Sequence, residues 1–248
     1  NSHSPVRRQG ATDHTLNGRI QVSRFPLSAM HVAELWRYPV KSMAGEALLA
    51  AEVSERGIAG DRVMYVVGAH GRIVTARTRP RLLGHHATLA PSGRPLVDGR
   101  PWDAPEVRRD VALAAGPGAH LVRAAGLERF DILPLLVATD GAIHALGTDG
   151  RRLRPNIVIG GVPGLAERTW EGARLRIGDV VIGVRDLRQR CIMTTFDPDT
   201  LEQDTGVLRR INREFGGTMA LNCYVAQPGT IAVGDQVEIV GTREESVE

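Results

Sequence analysis

Arg174-Leu175-Arg176-Ile177-Gly178-Asp179-Val180-Val181-Ile182-Gly183-Val184-Arg185 is the stretch that decides the fold class. Two short runs of Val, Ile and Leu, 174–177 and 180–185, read as strands. Gly178-Asp179 between them is a hairpin signal, because tight two-residue turns need backbone angles that Gly and Asp tolerate. The same pattern runs outward in both directions. Residues 32–38, 48–53, 63–67 and 73–76 are strand-length runs, punctuated by Gly57-Ile58-Ala59-Gly60-Asp61 and Gly68-Ala69-His70-Gly71. Residues 133–138 form a continuous apolar run suited to a buried strand, and 156–159, 220–225 and 236–240 complete the set.

Helical signals are fewer. Pro80-Arg81-Leu82-Leu83 opens a short helix, with Pro acceptable in the first turn. Residues 103–115 and 119–127 are expected as a strand followed by a helix. Thr139-Asp140 ahead of 141–146 reads as a short capped helix, with Asp140 taken as a cap rather than a group supporting a site. Residues 201–215 form the longest expected helix, closed by Gly216-Gly217. Pro91 to Pro105 is rich in Pro, Gly and Asp and marks hairpin turns or a subdomain boundary. No internal repeat is visible. The class is mixed α/β but β-rich, with a barrel-like core and few short helices.

Composition sets outer bounds. The 248 residues are 42% hydrophobic and 24% charged, ordinary values for a globular chain. No apolar stretch approaches the roughly 20 residues that span a bilayer, and no secretory signal is visible, so no membrane role and a cytoplasmic location are expected. Net charge is +3, without a Lys/Arg block interleaved with aromatics, so nucleic acid is not an expected partner. Residues 1–29 are polar and Ser/Arg-rich, expected as a disordered leader or an expression remnant, with Met30 a native or alternative start and 20–25 a candidate short strand. Residues 242–248 form a polar tail. Lys41 is the only lysine in the chain. Against so strong an arginine bias, it marks a place where a compact point charge does what a planar fork cannot.

Arg188-Gln189-Arg190-Cys191-Ile192-Met193-Thr194-Thr195-Phe196-Asp197-Pro198 carries the clearest chemistry. Neighbouring positive charge favours a thiolate, the form that binds metals or attacks electrophiles. The Asp-Pro turn that follows places Cys191 where a strand runs out into a loop, a usual address for a ligand site. The plainer reading makes Cys191 a small buried hydrophobe beside Ile192 and Met193. Thr194, Thr195 and Asp197 are read as backbone caps at the turn. Cys191 and Cys223 are too few for a disulfide framework, and a reducing compartment is the default.

Three further segments accompany this one. They are 35–46, containing Tyr38-Pro39-Val40-Lys41-Ser42; Arg154-Pro155-Asn156-Ile157-Val158-Ile159; and Gln227-Pro228-Gly229-Thr230-Ile231-Ala232-Val233-Gly234-Asp235. In this order they resemble MOSC proteins with an N-terminal MOSC β-barrel, of the branch that includes the mitochondrial amidoxime reducing component and bacterial relatives. The resemblance implies an N-terminal β-barrel subdomain at 30–105 and a MOSC domain at 106–241. It implies a molybdenum–molybdopterin cofactor whose metal is bound by Cys191, the residue also expected to be catalytic. Lys41, Ser42, Arg77, Arg154, Asn156 and Arg190 match family cofactor contacts. Each also has a plain reading as a turn or surface residue. Two departures stand out. Ile132-Leu133 replace a pair of hydroxyl residues before Pro134, which leaves Thr139 as the substitute contact. Asn222 takes the place of a late tyrosine.

The implied activity is reduction of N-hydroxylated or N-oxide small molecules. Without a CxxC or four-cysteine pattern, or a GxGxxG fingerprint, electrons would come from a separate protein of cytochrome, ferredoxin or flavin reductase type. The rival from another class is a sulfur carrier, with a persulfide on Cys191, or a cofactor-handling protein without turnover. A metal-free enzyme with Cys191 as nucleophile is a third reading.

Overall fold

The structure, a computed structural model, describes residues 29–126 and 130–241. The expected leader up to residue 28, the strand at 20–25 and the tail 242–248 lie outside the described residues. The central hairpin forms as expected: Arg174–Ile177 and Val180–Gln189 pair antiparallel, with Leu175 opposite Ile182. They belong to an eight-stranded sheet ordered Val237–Ile239, Arg174–Ile177, Val180–Gln189, Thr218–Gln227, Leu135–Thr139, Ile157–Gly160, His31–Arg37, Glu46–Leu48. All neighbours are antiparallel except Leu135–Thr139 and Ile157–Gly160. A parallel pair needs a crossover, and the segment containing the helix Asp140–Leu146 supplies it.

The sheet curls until its distant strands meet. His31 bridges to Gln236, Val32 N donates to Asp235 O at 2.8 Å, and Gly234 N donates to Val32 O at 2.8 Å. That contact closes a barrel and covers most of the sheet's edges, leaving only the short strand Glu46–Leu48 at the end of the order. Leu35, Val137, Ile157, Ile159, Leu175, Ile177 and Ile182 fill its core with no more than trace exposure. Each such side chain contributes about 1.5–3 kcal/mol of burial.

A second core lies beside the barrel. Met64–Val67 pairs with His120–Arg123 and Ile73–Val74. The helix Pro105–Ala115 sets Val107, Val111, Ala114 and Ala115 in the same cluster as Leu82 and Leu83, from the 3-10 turn Pro80–Gly84. The order expected over 103–127 is therefore reversed: the helix comes first and the strand after it. Pro105 in the first turn and the apolar spacing at 107, 111, 114 and 115 fix the helix. His120–Arg123 becomes a strand by pairing with residues more than fifty positions earlier. These elements pack with the N-terminal body, so its core runs past the expected boundary at 105/106. The run 48–53 also divides. Glu46–Leu48 pairs with His31–Arg37, whereas Ala50–Ser54 pairs with Gly229–Ala232. The chain changes sheets at Leu49, whose side chain is 85% exposed. The longest expected helix is shorter, Thr205–Glu214, capped by Asp204.

Candidate functional site

The strand Val180–Gln189 delivers Cys191 to the mouth between the two cores. Arg190 N donates to Gly217 O at 2.9 Å and ends the pairing, and the 3-10 turn Ile192–Thr195 follows. Thr194 Oγ1 donates to Cys191 O at 2.9 Å and Thr195 Oγ1 to Ile192 O at 2.7 Å. Asp197 Oδ1 accepts from the amides of Asp199 and Thr200, each at 3.0 Å. These three side chains hold backbone, as their positions at the Asp-Pro turn suggested.

Lys41, Ser42, Arg77, Arg154, Arg190 and Cys191 line one cleft of about 600 Å³ including its mouth, together with Arg62, Asp131 and Arg188. A contiguous cavity shares Arg62, Asp131, Leu136 and Arg188 with it and adds Asn156 and Asn222. Asn156 is fully buried and ties three elements together. Its Oδ1 accepts from Leu136 N at 3.2 Å and Arg62 Nη1 at 3.3 Å, and its Nδ2 donates to Trp36 O at 3.3 Å. Asn222 Nδ2 donates to Asp186 Oδ1 at 2.6 Å.

Thr139 does not join this group. It is fully buried at the start of the helix Asp140–Leu146, where its Oγ1 accepts from Ala142 N at 3.2 Å and donates to Glu167 at 3.3 Å. Thr139 is therefore the cap. Asp140, read from sequence as the cap, instead accepts from the amides of Gly141, Gly161 and Val162.

Asp131 and Arg62 are site residues that the sequence did not reveal. Asp131 gathers three cations: Lys41 Nζ at 3.0 Å, Arg77 Nη2 at 2.7 Å and Arg188 Nη2 at 3.1 Å. Burial alone would raise its pKa, but Lys41 and Arg77 outweigh burial and hold the carboxyl below the usual carboxylate range. Burial pulls Arg77 down, yet the neighbouring Cys191 and Asp131 leave it raised overall. Arg62 ion-pairs with the fully buried Asp61, which also accepts from Tyr38 N at 2.8 Å.

Two further guanidiniums are short of partners. Arg190 Nη2 donates to Leu153 O at 2.7 Å, while its buried Nε has no partner. The Arg154 guanidinium makes no hydrogen bond among the described residues and sits 4.3 Å over the Tyr38 ring. Burial lowers each of these two groups to about 10. The cleft thus presents six cationic side chains and one carboxylate. Unmet donors and surplus positive charge suit an anionic ligand with phosphate-type oxygens, and the residues fit the pterin cofactor that the family resemblance implies. Among the described residues no three His, Cys, Asp or Glu side chains group as a metal cage. A metal here would take Cys191 from the protein and its remaining ligands from the cofactor.

Comparison with known proteins gives a consistent frame. Residues 29–113 match the MOSC N-terminal beta barrel domain, and residues 140–238 match the MOSC domain. The human mitochondrial amidoxime-reducing component 1 is 27% identical over 286 aligned positions, covering 85% of this chain and 83% of its own length. The Macaca fascicularis mitochondrial amidoxime reducing component 2 is 28% identical, covering 68% of this chain and 67% of its own. Among solved structures, the YUAD protein from Bacillus subtilis superposes with a TM-score of 0.48 at 14% identity, over 85% of this chain and 95% of that one.

Proposed function

Because this chain belongs to the MOSC family, with the MOSC N-terminal β-barrel domain ahead of the MOSC domain, we propose that it is a molybdenum-cofactor-dependent oxidoreductase. Its substrates are N-hydroxylated or N-oxide small molecules, and its electrons come from a separate protein. The observation that carries this reading is the cleft itself, with Cys191 on a wall of six cations. The relatives named as amidoxime-reducing components supply the substrate class.

Each residue has a physical task. Lys41, Arg62, Arg77, Arg154 and Arg190 supply charged donors for the cofactor phosphate and ring edge. Cys191 gives a soft anionic donor to the metal, and Arg77 lines the same cleft. Asp131 orients Arg77 and Arg188 beside the thiolate. Such a cofactor, when bound, supplies redox chemistry that protein side chains lack. Cys223 is buried in the core and its thiol is pushed up by burial, so it is not a second reactive sulfur.

The test is molybdenum and pterin content of protein made in a cofactor-competent host, with Cys191→Ala alongside. Benzamidoxime reduction by reduced methyl viologen reads activity without the natural electron donor. The expected result is near-stoichiometric metal, at least about tenfold lower in the variant, and benzamidine as product. A variant with a full metal load refutes the ligand role. Protein that takes up neither metal nor pterin, with a persulfide on Cys191, moves the assignment to sulfur transfer.

A further inference from the structure

A second cavity, of about 780 Å³ with its mouth, shares only Arg154 and Met193 with the cleft. Its apolar walls are Trp36, Leu83, Met193 and Phe196, and its polar wall carries Tyr38, Arg152 and Arg154. That mixture of flat apolar surface and a few convergent polar groups is typical of small-molecule sites.

The polar wall is unsatisfied. Tyr38 is 3% exposed and its hydroxyl has no hydrogen-bond partner. Arg152, with its side chain 9% exposed, donates from Nη1 to Thr195 O and from Nη2 to Asp197, yet its Nε is unpartnered. The Arg154 guanidinium stacks on the face of the Tyr38 ring and makes no hydrogen bond among the described residues. The carboxylates on the rim do not meet this demand, because Asp197 is paired with Arg152 and Asp199 with Arg151. Buried donors without acceptors are rare in folded proteins, and here two, the Tyr38 hydroxyl and Arg152 Nε, occur on one wall. The wall is also rigid. A Cβ on Gly45 would lie 2.5 Å from Tyr38 Cδ1, so the backbone there is packed directly on the ring.

We infer that this cavity is a second ligand site, for a small planar carboxylate such as an aromatic acid. The carboxylate takes hydrogen bonds from the Tyr38 hydroxyl and the Arg154 guanidinium, supplying acceptors that the protein lacks there. The ring lies among Trp36, Phe196 and the adaptable thioether of Met193. Arg154 lies between this cavity and the cleft, and its guanidinium has enough N–H donors to serve a ligand on either side.

Benzoate is the probe, titrated by calorimetry and by ligand-observed NMR against the full chain. Saturable one-to-one binding is expected, about tenfold weaker in Tyr38→Phe, which keeps the ring and removes one hydrogen bond to a charged acceptor. Benzyl alcohol, the same ring without the charge, is expected to bind at least about tenfold more weakly than benzoate. Inorganic phosphate, which suits the cleft, should not displace the probe. The inference is overturned by benzoate that fails to saturate, that binds Tyr38→Phe equally well, or that phosphate displaces. Benzyl alcohol binding as tightly as benzoate overturns the carboxylate assignment.

Discussion

Asp131→Asn isolates the electrostatics of the cleft, because it removes a charge while leaving the shape. In the wild-type chain one carboxylate joins Lys41, Arg77 and Arg188 at 2.7–3.1 Å. Arg77 is 43% exposed and its pair contributes little, whereas the Lys41 and Arg188 side chains are 13% and 15% exposed. Exposed pairs contribute about 0–1 kcal/mol and the loss of one partner of a buried pair costs about 3–5 kcal/mol. Two half-buried pairs therefore place the cost of Asp131→Asn near 2 kcal/mol in the ligand-free protein. In a chain of this size that is a fall in Tm of roughly 4–8 °C. The loss should be reversible by ligand. Inorganic phosphate at about 100 times its Kd stabilises by about 2.7 kcal/mol, and with the competing carboxylate gone the variant should gain more from phosphate than the wild type. Acid sharpens the comparison. Asp131 is held below its ordinary range, so its contribution is present above the unfolded carboxylate value and is lost as pH falls through the folded one. The gap in Tm between the two proteins should then close on acidification. Thermal melts in low-anion buffer, with and without phosphate, decide the matter. A variant melting within about 1 °C of wild type, or equal phosphate stabilisation of both, refutes the reasoning.

Two further substitutions test neighbouring claims. Arg154 has φ of 56°, so Arg154→Gly should be about 1 kcal/mol more stable than Arg154→Ala by urea denaturation, since only Ala carries the left-handed penalty; equal stabilities would show that the backbone there is unstrained. Glu167 is fully buried, its Oε1 has no partner, and burial raises its pKa. A raised carboxyl stabilises the fold below its unfolded value, and that stability is lost as pH rises through the folded value. Glu167→Gln should thus hold its urea midpoint as pH rises above the ordinary carboxylate value while the wild type declines, and parallel curves would contradict the assignment.

What could be read from sequence was what chemistry writes locally. The hairpin around Gly178-Asp179, the apolar strand expected at 133–138 and found at Leu135–Thr139, and the turn after Cys191 each follow from adjacent residues, and all three are present. The order of helix and strand over 103–127 was not readable, because His120–Arg123 is a strand only by virtue of its pairing with Met64–Val67. Asp131 failed for the same reason. As a lone acid ahead of an apolar run it looks like a solvated loop residue, and its arginine partners are 54 and 57 positions away. Thr139 shows the opposite case. Its local capping signal was stronger than its distant role as a stand-in for missing hydroxyls, and the local signal describes what the side chain does.

The cleft also depends on something that no residue type announces. Ser42, Arg62 and Arg154 all line it, and all adopt left-handed backbone, at φ of 73°, 48° and 56°. For a residue with a Cβ that conformation costs about 1–2 kcal/mol. In an extended chain adjacent side chains point to opposite faces, so Lys41 and Ser42 could not both face one cavity without a break in that alternation. The left-handed turn at Ser42 provides the break. The same holds after the 3-10 turn Gly150–Leu153, where Arg154 ends the element in left-handed geometry and both Leu153 and Arg154 reach the cleft. Glycine would adopt these angles without steric cost, but would leave the cleft without one hydroxyl and two guanidiniums. The strain persists because the closed barrel and the second core hold both sides of each turn, which is the condition under which strained backbone survives at a functional site.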